Sequence, residues 1–262
     1  MQHDKVSPPG HYAAINGLNL YYEIHGSGTP LVLLHGGGST IGSTYGRVLP
    51  ALALKHQVIA IELQAHGRTR DIDRALTFEQ DADDVAALLQ HLHIAQADVM
   101  GFSNGGTTAL QMGIRHPELV RKLVLLSALY RRDGMPAAFF EGMKQVTFND
   151  VPQPLKEAFL AVNPDPEGLV AMFRRDSARM VVFEDIADEA IRGIKAPALV
   201  ISGDTDVVLP EHSLTLVRTL PDARLAILPC GHGDYIGEIC AYDPQSTMPA
   251  FVLDVIEKFL QQ

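Results

Sequence analysis

Short apolar runs recur along the chain, each bounded by glycine, proline or polar residues. Runs of this length and composition are typical of buried β-strands. The first two runs flank Asn16-Gly17, a turn pair that favours a hairpin. The eight runs predicted as strands are His11–Ile15, Leu18–Ile24, Pro30–Leu34, Gln57–Leu63, Asp98–Phe102, Lys122–Ser127, Ala198–Ser202 and Arg224–Leu228.

Helical patterns separate most of these runs. Thr77 is expected to cap a helix that reaches about His91, with Gln80 as its capping-box partner. Further helices are predicted over Gly105–His116 and Met248–Leu260. Alternating short strands and helices predict an α/β protein with a mostly parallel, eight-stranded sheet and helices on both faces.

One stretch breaks this alternation. Residues 129–192 contain no convincing strand and are rich in methionine, phenylalanine, arginine and proline. We expect several short helices here, forming a small cap above the strand ends. The predicted domain organisation is therefore a core of residues 1–128 and 193–262 with a helical cap insertion at 129–192.

Length and composition agree with one such domain. The chain has 262 residues, of which 47% are hydrophobic, enough for a large buried core. No apolar run approaches the roughly 18 residues that a membrane span needs. The segment Met1–Gly10 carries charged residues and prolines, without the apolar stretch of a signal peptide. We therefore expect a cytoplasmic protein.

The charge of the chain narrows the class of partner. A net charge of −10 repels phosphate backbones and anionic lipids, so neither nucleic acid nor membrane is expected as a partner. A small molecule remains the expected partner, and a homodimer stays open. Cys230 and Cys240 are expected to be reduced thiols, with a regulatory disulfide between them as the alternative.

A glycine-flanked serine follows one predicted strand. Gly101-Phe102-Ser103-Asn104-Gly105 comes directly after Met100 and opens a predicted helix. So sharp a turn strains the serine backbone and exposes its hydroxyl, and glycines are needed where strand and helix pass closely. We expect Ser103 to be a nucleophile and the Asn104 amide to face an oxyanion. A plain glycine–serine turn is the alternative.

A second glycine-rich segment, His35-Gly36-Gly37-Gly38, also follows a strand. Consecutive glycines let backbone amides approach a ligand, so Gly37 would supply a second oxyanion amide in a hydrolase. A flexible turn is the alternative. The segment does not match a phosphate-binding loop, because Ser43 stands where that motif needs lysine.

An acid and a histidine follow the last two strands. Asp206, in Gly203-Asp204-Thr205-Asp206, is the better candidate to orient an imidazole, whereas Asp204 is expected to bond loop amides. His232 lies in a glycine-flanked turn after the final strand, while His66 is expected to be a structural loop residue. Serine, aspartate and histidine thus follow one another in the order of a hydrolase triad.

With these motifs in place, the chain resembles the α/β-hydrolase superfamily along almost its whole length. The matching stretches are Leu31–Gly38, Ala65–Thr69, Val99–Gly106, His116–Leu126, Gly203–Pro210 and Gly231–Glu238. The resemblance implies a triad of Ser103, Asp206 and His232 with an oxyanion hole at Gly37 and Asn104. The serine excludes the branches that use an aspartate nucleophile. Two departures are Asn104, where methionine is common, and Ala65, where glycine is usual.

The resemblance implies a serine hydrolase that cleaves a small ester or lactone through an acyl-enzyme. A C–C bond hydrolase, a cofactor-free perhydrolase, an acyltransferase and a slow-turnover ligand receptor are the alternatives, since all share the fold and triad. No cofactor is required, and no metal-binding motif is found. The cap offers six apolar candidates for the substrate pocket: Phe139, Phe140, Met143, Phe159, Met172 and Phe173.

Overall fold

The computed structural model describes residues 10–262; residues 1–9, on which part of the signal-peptide expectation rests, lie outside the described residues. Eight strands form one sheet. They are β1 (His11–Ile15), β2 (Leu18–His25), β3 (Thr29–Leu34), β4 (His56–Glu62), β5 (Ala97–Phe102), β6 (Val120–Leu126), β7 (Ala198–Gly203) and β8 (Ala223–Leu228). Each lies where the apolar pattern predicts it, within one or two residues at its ends.

The sheet is mostly parallel. Its strand order is β1-β2-β4-β3-β5-β6-β7-β8, in which β1 pairs antiparallel with β2 and β2 antiparallel with β4. The remaining neighbours are parallel, and the register sets Leu34 beside Gly101 and Leu126 beside Ile201. The predicted α/β architecture is therefore confirmed.

Helices cover both faces of the sheet. The described part of the chain forms α1 (Ile41–Tyr45), α2 (Leu49–Leu52), α3 (Phe78–His91), α4 (Asn104–Arg115), α5 (Phe139–Met143), α6 (Gln153–Val162), α7 (Pro166–Val181), α8 (Asp188–Arg192), α9 (Pro210–Thr219) and α10 (Met248–Leu260). Thr77 caps α3 by accepting a hydrogen bond from the Gln80 amide, at 3.0 Å.

Alternate residues of the central strands enter two separate cores. In β3, Val32 and Leu34 pack with α3 and α4, whereas Leu31 and Leu33 pack with α1, α2 and α10 on the opposite face. Side chains of a strand alternate between the two faces of a sheet, and here both faces are buried. This explains why the strands appear in the sequence as continuous apolar runs rather than alternating ones.

The residues between β6 and β7 contain four helices, α5 to α8, and no strand. Most are short, as expected, but α7 has 16 residues. Its first turn is well capped, because Asp165 accepts a hydrogen bond from the Glu167 amide and Pro166 occupies the first helical position. Pro166 therefore starts a long helix instead of interrupting a short one.

A buried histidine joins α9 to the segment after β6. The ring of His212 is 4.7 Å from that of Tyr130, and its Nε2 accepts a hydrogen bond of 3.2 Å from the Tyr130 amide. Burial disfavours the imidazolium and lowers the pKa of His212 from 6.5 to about 4, despite the nearby Asp133 carboxylate. The ring is therefore neutral in the folded protein.

The neutral state of His212 predicts a pH-dependent stability. Below pH 6.5 the His212 ring binds a proton in the unfolded chain but stays neutral in the folded protein down to about pH 4. The free energy of unfolding therefore falls as the pH drops toward 4. His212→Gln keeps an acceptor but removes this titration. Urea unfolding between pH 7 and pH 4 should show a shallower decline in the variant, by up to about 1.4 kcal/mol per pH unit. Parallel curves for the two proteins would contradict the assignment.

Candidate active site

Ser103 lies in a sharp turn between β5 and α4. Its backbone has φ 54° and ψ −120°, in a region that residues with a side chain rarely occupy and that costs about 1–3 kcal/mol. The turn is held by the Ser103 amide, which donates to the Leu126 carbonyl at 2.8 Å. The strand β6 therefore fixes the position of the turn from its side.

The glycines beside Ser103 are required by close contact. A Cβ atom on Gly101 would lie 2.0 Å from the Gly105 carbonyl oxygen, and one on Gly105 would lie 2.1 Å from the Leu34 oxygen. No side chain fits at these distances. Helix α4 can thus approach β3 and β5 closely enough to place Ser103 at the carboxyl end of the sheet, as the spacing of the motif predicts.

His232 and Asp206 come from the two loops that follow β8 and β7. Nδ1 of His232 lies 2.7 Å from Oδ1 of Asp206. A carboxylate only accepts hydrogen bonds, so Nδ1 carries the proton and Nε2 is left with a free lone pair in the neutral ring. The ring also packs on Phe102, with centroids 4.6 Å apart. These contacts fix both the tautomer and the plane of the imidazole.

The Asp206 carboxylate is fully buried and has several donors. Oδ2 accepts from the Ser127 hydroxyl at 2.5 Å and from the Gly203 amide, while Oδ1 also accepts from the Val208 amide. Burial alone would raise the pKa of Asp206, but the hydrogen bonds and charge of His232, with those of Ser127 and Val208, outweigh it and lower the pKa. Asp206 is therefore an ionised acceptor.

Ser127 is a supporting residue that the sequence pattern did not single out. Its hydroxyl lies 2.5 Å from the Tyr235 hydroxyl as well as from Asp206. Tyr235 can donate to Ser127, which donates to the carboxylate, so the chain of hydrogen bonds ends on Asp206. Ser127 has φ 48°, an unusual value for serine that only the structure reveals.

Asp204 differs from its expected role. It was expected to bond loop amides, yet its side chain is exposed and forms no hydrogen bond within residues 10–262. The loop amides of Gly203 and Val208 bond Asp206 instead. The reason is the loop geometry, which turns Asp206 inward and Asp204 outward.

The glycine-rich loop after β3 presents amides beside Ser103. Nδ1 of His35 donates to the Gly36 carbonyl at 2.8 Å, and Nε2 accepts from the Leu63 amide at 3.1 Å. Burial, followed by the neighbouring His66, lowers the pKa of His35 to about 3, so its ring is neutral. Within the described chain, neither the Gly37 nor the Asn104 amide donates to another protein group. Both are available to a ligand.

Ser103 and His232 open on one cavity of about 300 Å³ beneath the cap, together with Gly37 and Asn104. Its apolar lining comes mostly from the cap. Four of the six predicted pocket residues line it, namely Phe139, Met143, Met172 and Phe173. The lining also includes apolar residues outside that prediction: Met135, Val146, Val151, Pro152, Leu155, Met180 and Val207.

Phe140 and Phe159 do not line this cavity, in contrast to the expectation. Phe140 is buried against Phe183, with parallel rings 6.1 Å apart, and Phe159 is buried against Leu169 and Met172. Each supports the cap from behind the cavity wall. Composition identifies apolar cap residues, but which face of a short helix meets the cavity depends on tertiary packing.

The cavity also contains a carboxylate that the sequence pattern missed. Asp176 of α7 lies on its wall near Gly37 and Gly38. Oδ2 of Asp176 lies 2.9 Å from Nε2 of His66, which is buried. His66 is thus a partner of the cap as well as the structural loop residue expected. The two residues are 110 positions apart, so no local motif could have joined them.

In the described range 10–262, no cluster of three or more histidine, cysteine, aspartate or glutamate side chains could hold a metal ion. Cys230 and Cys240 are free thiols, and burial raises the pKa of each to about 11. None of the helices in that range is long and apolar enough to cross a membrane.

The chain was compared with known proteins. A family model described as the alpha/beta hydrolase fold matches residues 29–169. A proposed carbamate hydrolase of Azorhizobium caulinodans is 30% identical over 82% of this chain and 88% of its own length. The 2-hydroxymuconate semialdehyde hydrolase of Pseudomonas sp. strain CF600 is 33% identical, covering 82% of this chain and 84% of that protein.

Solved structures agree with these relatives. The enol-lactonase from Burkholderia xenovorans LB400 superposes with a TM-score of 0.73 at 25% identity, over 96% of this chain and 100% of that one. Its fold is thus shared across nearly the entire length of both chains. The matched model, the relatives and the sheet topology together show that this chain belongs to the α/β-hydrolase fold family, and it is a hydrolase of that type.

Proposed function

We propose that the protein is a serine hydrolase that cleaves small, uncharged esters or lactones through an acyl-enzyme. The observation that carries this proposal is the shared cavity of Ser103 and His232, with His232 held by Asp206 at 2.7 Å. The geometry supports a nucleophile, a base and an orienting acid in these roles. Gly37 and Asn104 would donate to the oxyanion.

In the first half-reaction, Oγ of Ser103 attacks the acyl carbonyl carbon and its proton passes to Nε2 of His232. Asp206 stabilises the imidazolium that forms, because its buried carboxylate already accepts the Nδ1 proton. The carbonyl oxygen becomes an oxyanion, which the Gly37 and Asn104 amides meet. Helix α4 begins at Asn104, so its dipole adds to this stabilisation.

The tetrahedral intermediate then collapses. The bond to the leaving oxygen breaks, His232 returns its proton to that oxygen, and the acyl group stays on Ser103. In a second half-reaction His232 takes a proton from a water molecule, which attacks the acyl carbonyl. The bond between the acyl carbon and Oγ of Ser103 then breaks, His232 returns its proton to Oγ, and the acid is released. With a lactone, the released alcohol and acid are parts of one molecule.

The cavity favours an uncharged acyl group. Besides His232, its titratable lining groups are the carboxylates Asp150 and Asp176, and the rest of the lining is apolar or weakly polar. A carboxylate substrate would lose hydration there and find no lysine or arginine in the described lining to pair with. The cationic partners of Asp176, which are His66 and Arg179, are already bonded to it. At about 300 Å³ the space lies at the lower end of the range for small-molecule sites. A small ester, lactone or related neutral acyl compound fits these conditions.

A C–C bond hydrolase is the second candidate. The 33% identical relative is named for the hydrolysis of 2-hydroxymuconate semialdehyde, whose carboxyl group is ionised at neutral pH. The same serine and histidine would serve that reaction. The described lining of this cavity holds no lysine or arginine that could pair with a substrate carboxylate, which favours neutral substrates, and the enol-lactonase of similar fold supports ester-type chemistry. The charge of the substrate therefore separates the two candidates.

Removal of the Ser103 hydroxyl tests the proposed nucleophile. Ser103→Ala should lower kcat for 4-nitrophenyl butyrate at least about 10⁴-fold, because the attacking oxygen is gone. It should also abolish covalent labelling by a fluorophosphonate probe, located by peptide mass spectrometry. Circular dichroism should match that of the wild type. Turnover by a folded, clean preparation of the variant would refute the proposed function.

The second prediction separates the two aspartates. Asp206→Asn should lower kcat about 10³- to 10⁴-fold, because an amide at this position no longer fixes the tautomer of His232 or balances its charge. Asp204→Asn is the matched control and should change kcat less than about twofold, since its side chain is exposed. Equal losses of kcat in steady-state assays of the two variants would show that Asp206 is not the orienting acid.

The third prediction concerns substrate charge. The test measures kcat/KM for 4-nitrophenyl valerate and for mono-4-nitrophenyl glutarate, in which a carboxylate replaces the terminal methyl group. Uncatalysed hydrolysis is subtracted from both rates. The neutral ester should have a kcat/KM at least about tenfold higher, equivalent to about 1.4 kcal/mol. A preference for the glutarate, or rapid cleavage of a ring-fission dienoate, would favour the C–C candidate.

A further inference from the structure

A cap carboxylate bonds directly to the loop that carries the proposed oxyanion donor. Oδ2 of Asp176 accepts the Gly38 N–H at 2.6 Å, a short, charge-assisted hydrogen bond. The same oxygen would lie 3.3 Å from a Cβ atom built on Gly37. Helix α7 of the cap thus contacts the glycine loop of the core at the place where the reaction is proposed to occur.

This bond fixes the direction of one peptide plane. In a trans peptide the C=O and N–H point in opposite directions. The Gly38 N–H is bonded to Asp176, and the Gly37 C=O at the other end accepts from the Ser39 hydroxyl at 3.3 Å. The Gly37–Gly38 peptide is therefore held from both sides.

The preceding peptide is held as well. The Gly36 carbonyl accepts from His35, so the Gly37 N–H of the same peptide points the opposite way and stays free. Glycine loops have unusual backbone freedom, and two fixed peptide planes remove it. Without Asp176, the plane after Gly37 would keep only the longer bond from Ser39.

A carboxylate beside an oxyanion would oppose catalysis unless its charge were balanced. Nδ1 of His66 lies 2.8 Å from the Gln64 carbonyl, which only accepts, so Nδ1 carries a proton. Nε2 of His66 bonds Asp176. Burial lowers the pKa of His66 but the Asp176 charge and hydrogen bond outweigh it and raise the pKa, while the pKa of Asp176 is lowered. The pair is therefore an imidazolium and a carboxylate.

Arg179 adds a second cation. Its Nη2 donates to Oδ1 of Asp176 at 2.5 Å and its Nη1 to Oδ2 of Asp81 at 2.7 Å. Asp176 thus has two cationic partners, one on the core loop and one on its own helix. Its oxygens remain strong acceptors for Gly38, while little net negative charge faces the oxyanion.

We propose that Asp176 is a positioning residue that orients the oxyanion loop from the cap, with His66 and Arg179 neutralising its charge. This inference rests on the serine-hydrolase function proposed above. Asp176 touches no reacting atom and acts through the Gly38 amide. Its loss should therefore slow the chemical step rather than weaken substrate binding.

The test compares Asp176→Ala with Glu167→Ala, which removes an exposed carboxylate from the same helix. With 4-nitrophenyl butyrate, Asp176→Ala should lower kcat about 10- to 100-fold while KM changes less than about threefold. Glu167→Ala should match the wild type. The isosteric Asp176→Asn keeps one oxygen that can accept from Gly38 and should give an intermediate kcat. Because it preserves the shape of the side chain, it also keeps the test valid if the alanine variant misfolds.

A second readout does not depend on turnover. In ¹⁵N NMR spectra, the Gly38 amide proton should move upfield and the pKa of His66 should fall in both Asp176 variants, but not in Glu167→Ala. Wild-type kcat in both Asp176 variants, a change confined to KM, or an equal loss in Glu167→Ala would overturn the positioning role. If the wild type hydrolyses no ester, the proposed function fails instead, and unchanged Gly38 and His66 signals would then refute the contact itself.

Discussion

The close approach of α4 to the centre of the sheet is the constraint on which the site depends. Gly101 and Gly105 leave no room for side chains, and Ser103 takes up the resulting strain in its backbone. Because β3, β5, β6, β7 and β8 are parallel, their carboxyl ends meet at one edge. The glycine loop, Ser103, Ser127, Asp206 and His232 all follow those ends. The close approach of α4 and the shared edge of the parallel strands together explain why residues distant in sequence share a cavity.

Two histidine–carboxylate pairs lie at this edge, His232–Asp206 with a partly exposed ring and His66–Asp176 with a buried one, and they also differ in the partner of the second ring nitrogen. In His232–Asp206 the second ring nitrogen is free, so the ring can accept a proton. In His66–Asp176 the second nitrogen is bonded to the Gln64 carbonyl, so the ring is held as a cation. The same two residue types therefore support different tasks, and the partner of the second nitrogen decides which.

The sheet was predictable from sequence because buried parallel strands leave a continuous apolar signal, and their glycine and proline boundaries are local. The elbow at Ser103 was predictable for the same reason. Asp176 and Ser127 were not, because their importance arises from partners 138 and 79 positions away. The direction in which Phe140 and Phe159 point could not be predicted either, because α5 and α6 each have more than one apolar side and tertiary packing decides which side meets the cavity.

The charges between α7 and the core limit how the cap can move. The core contributes His66 and Asp81, the cap contributes Asp176 and Arg179, and the two ion pairs of 2.9 Å and 2.7 Å cross between them. Lifting α7 would leave Asp176 and Arg179 paired with each other but would separate the buried His66 and Asp81 side chains of the core from their partners, at the penalty that unpaired buried charges carry. An opening that preserves both pairs would leave α7 in place and displace other cavity-lining parts, such as α5 and the segment before α6. Phe139 and Met143 of α5 line the cavity, so a displacement of α5 would widen the cavity while Gly38 stays bonded to Asp176.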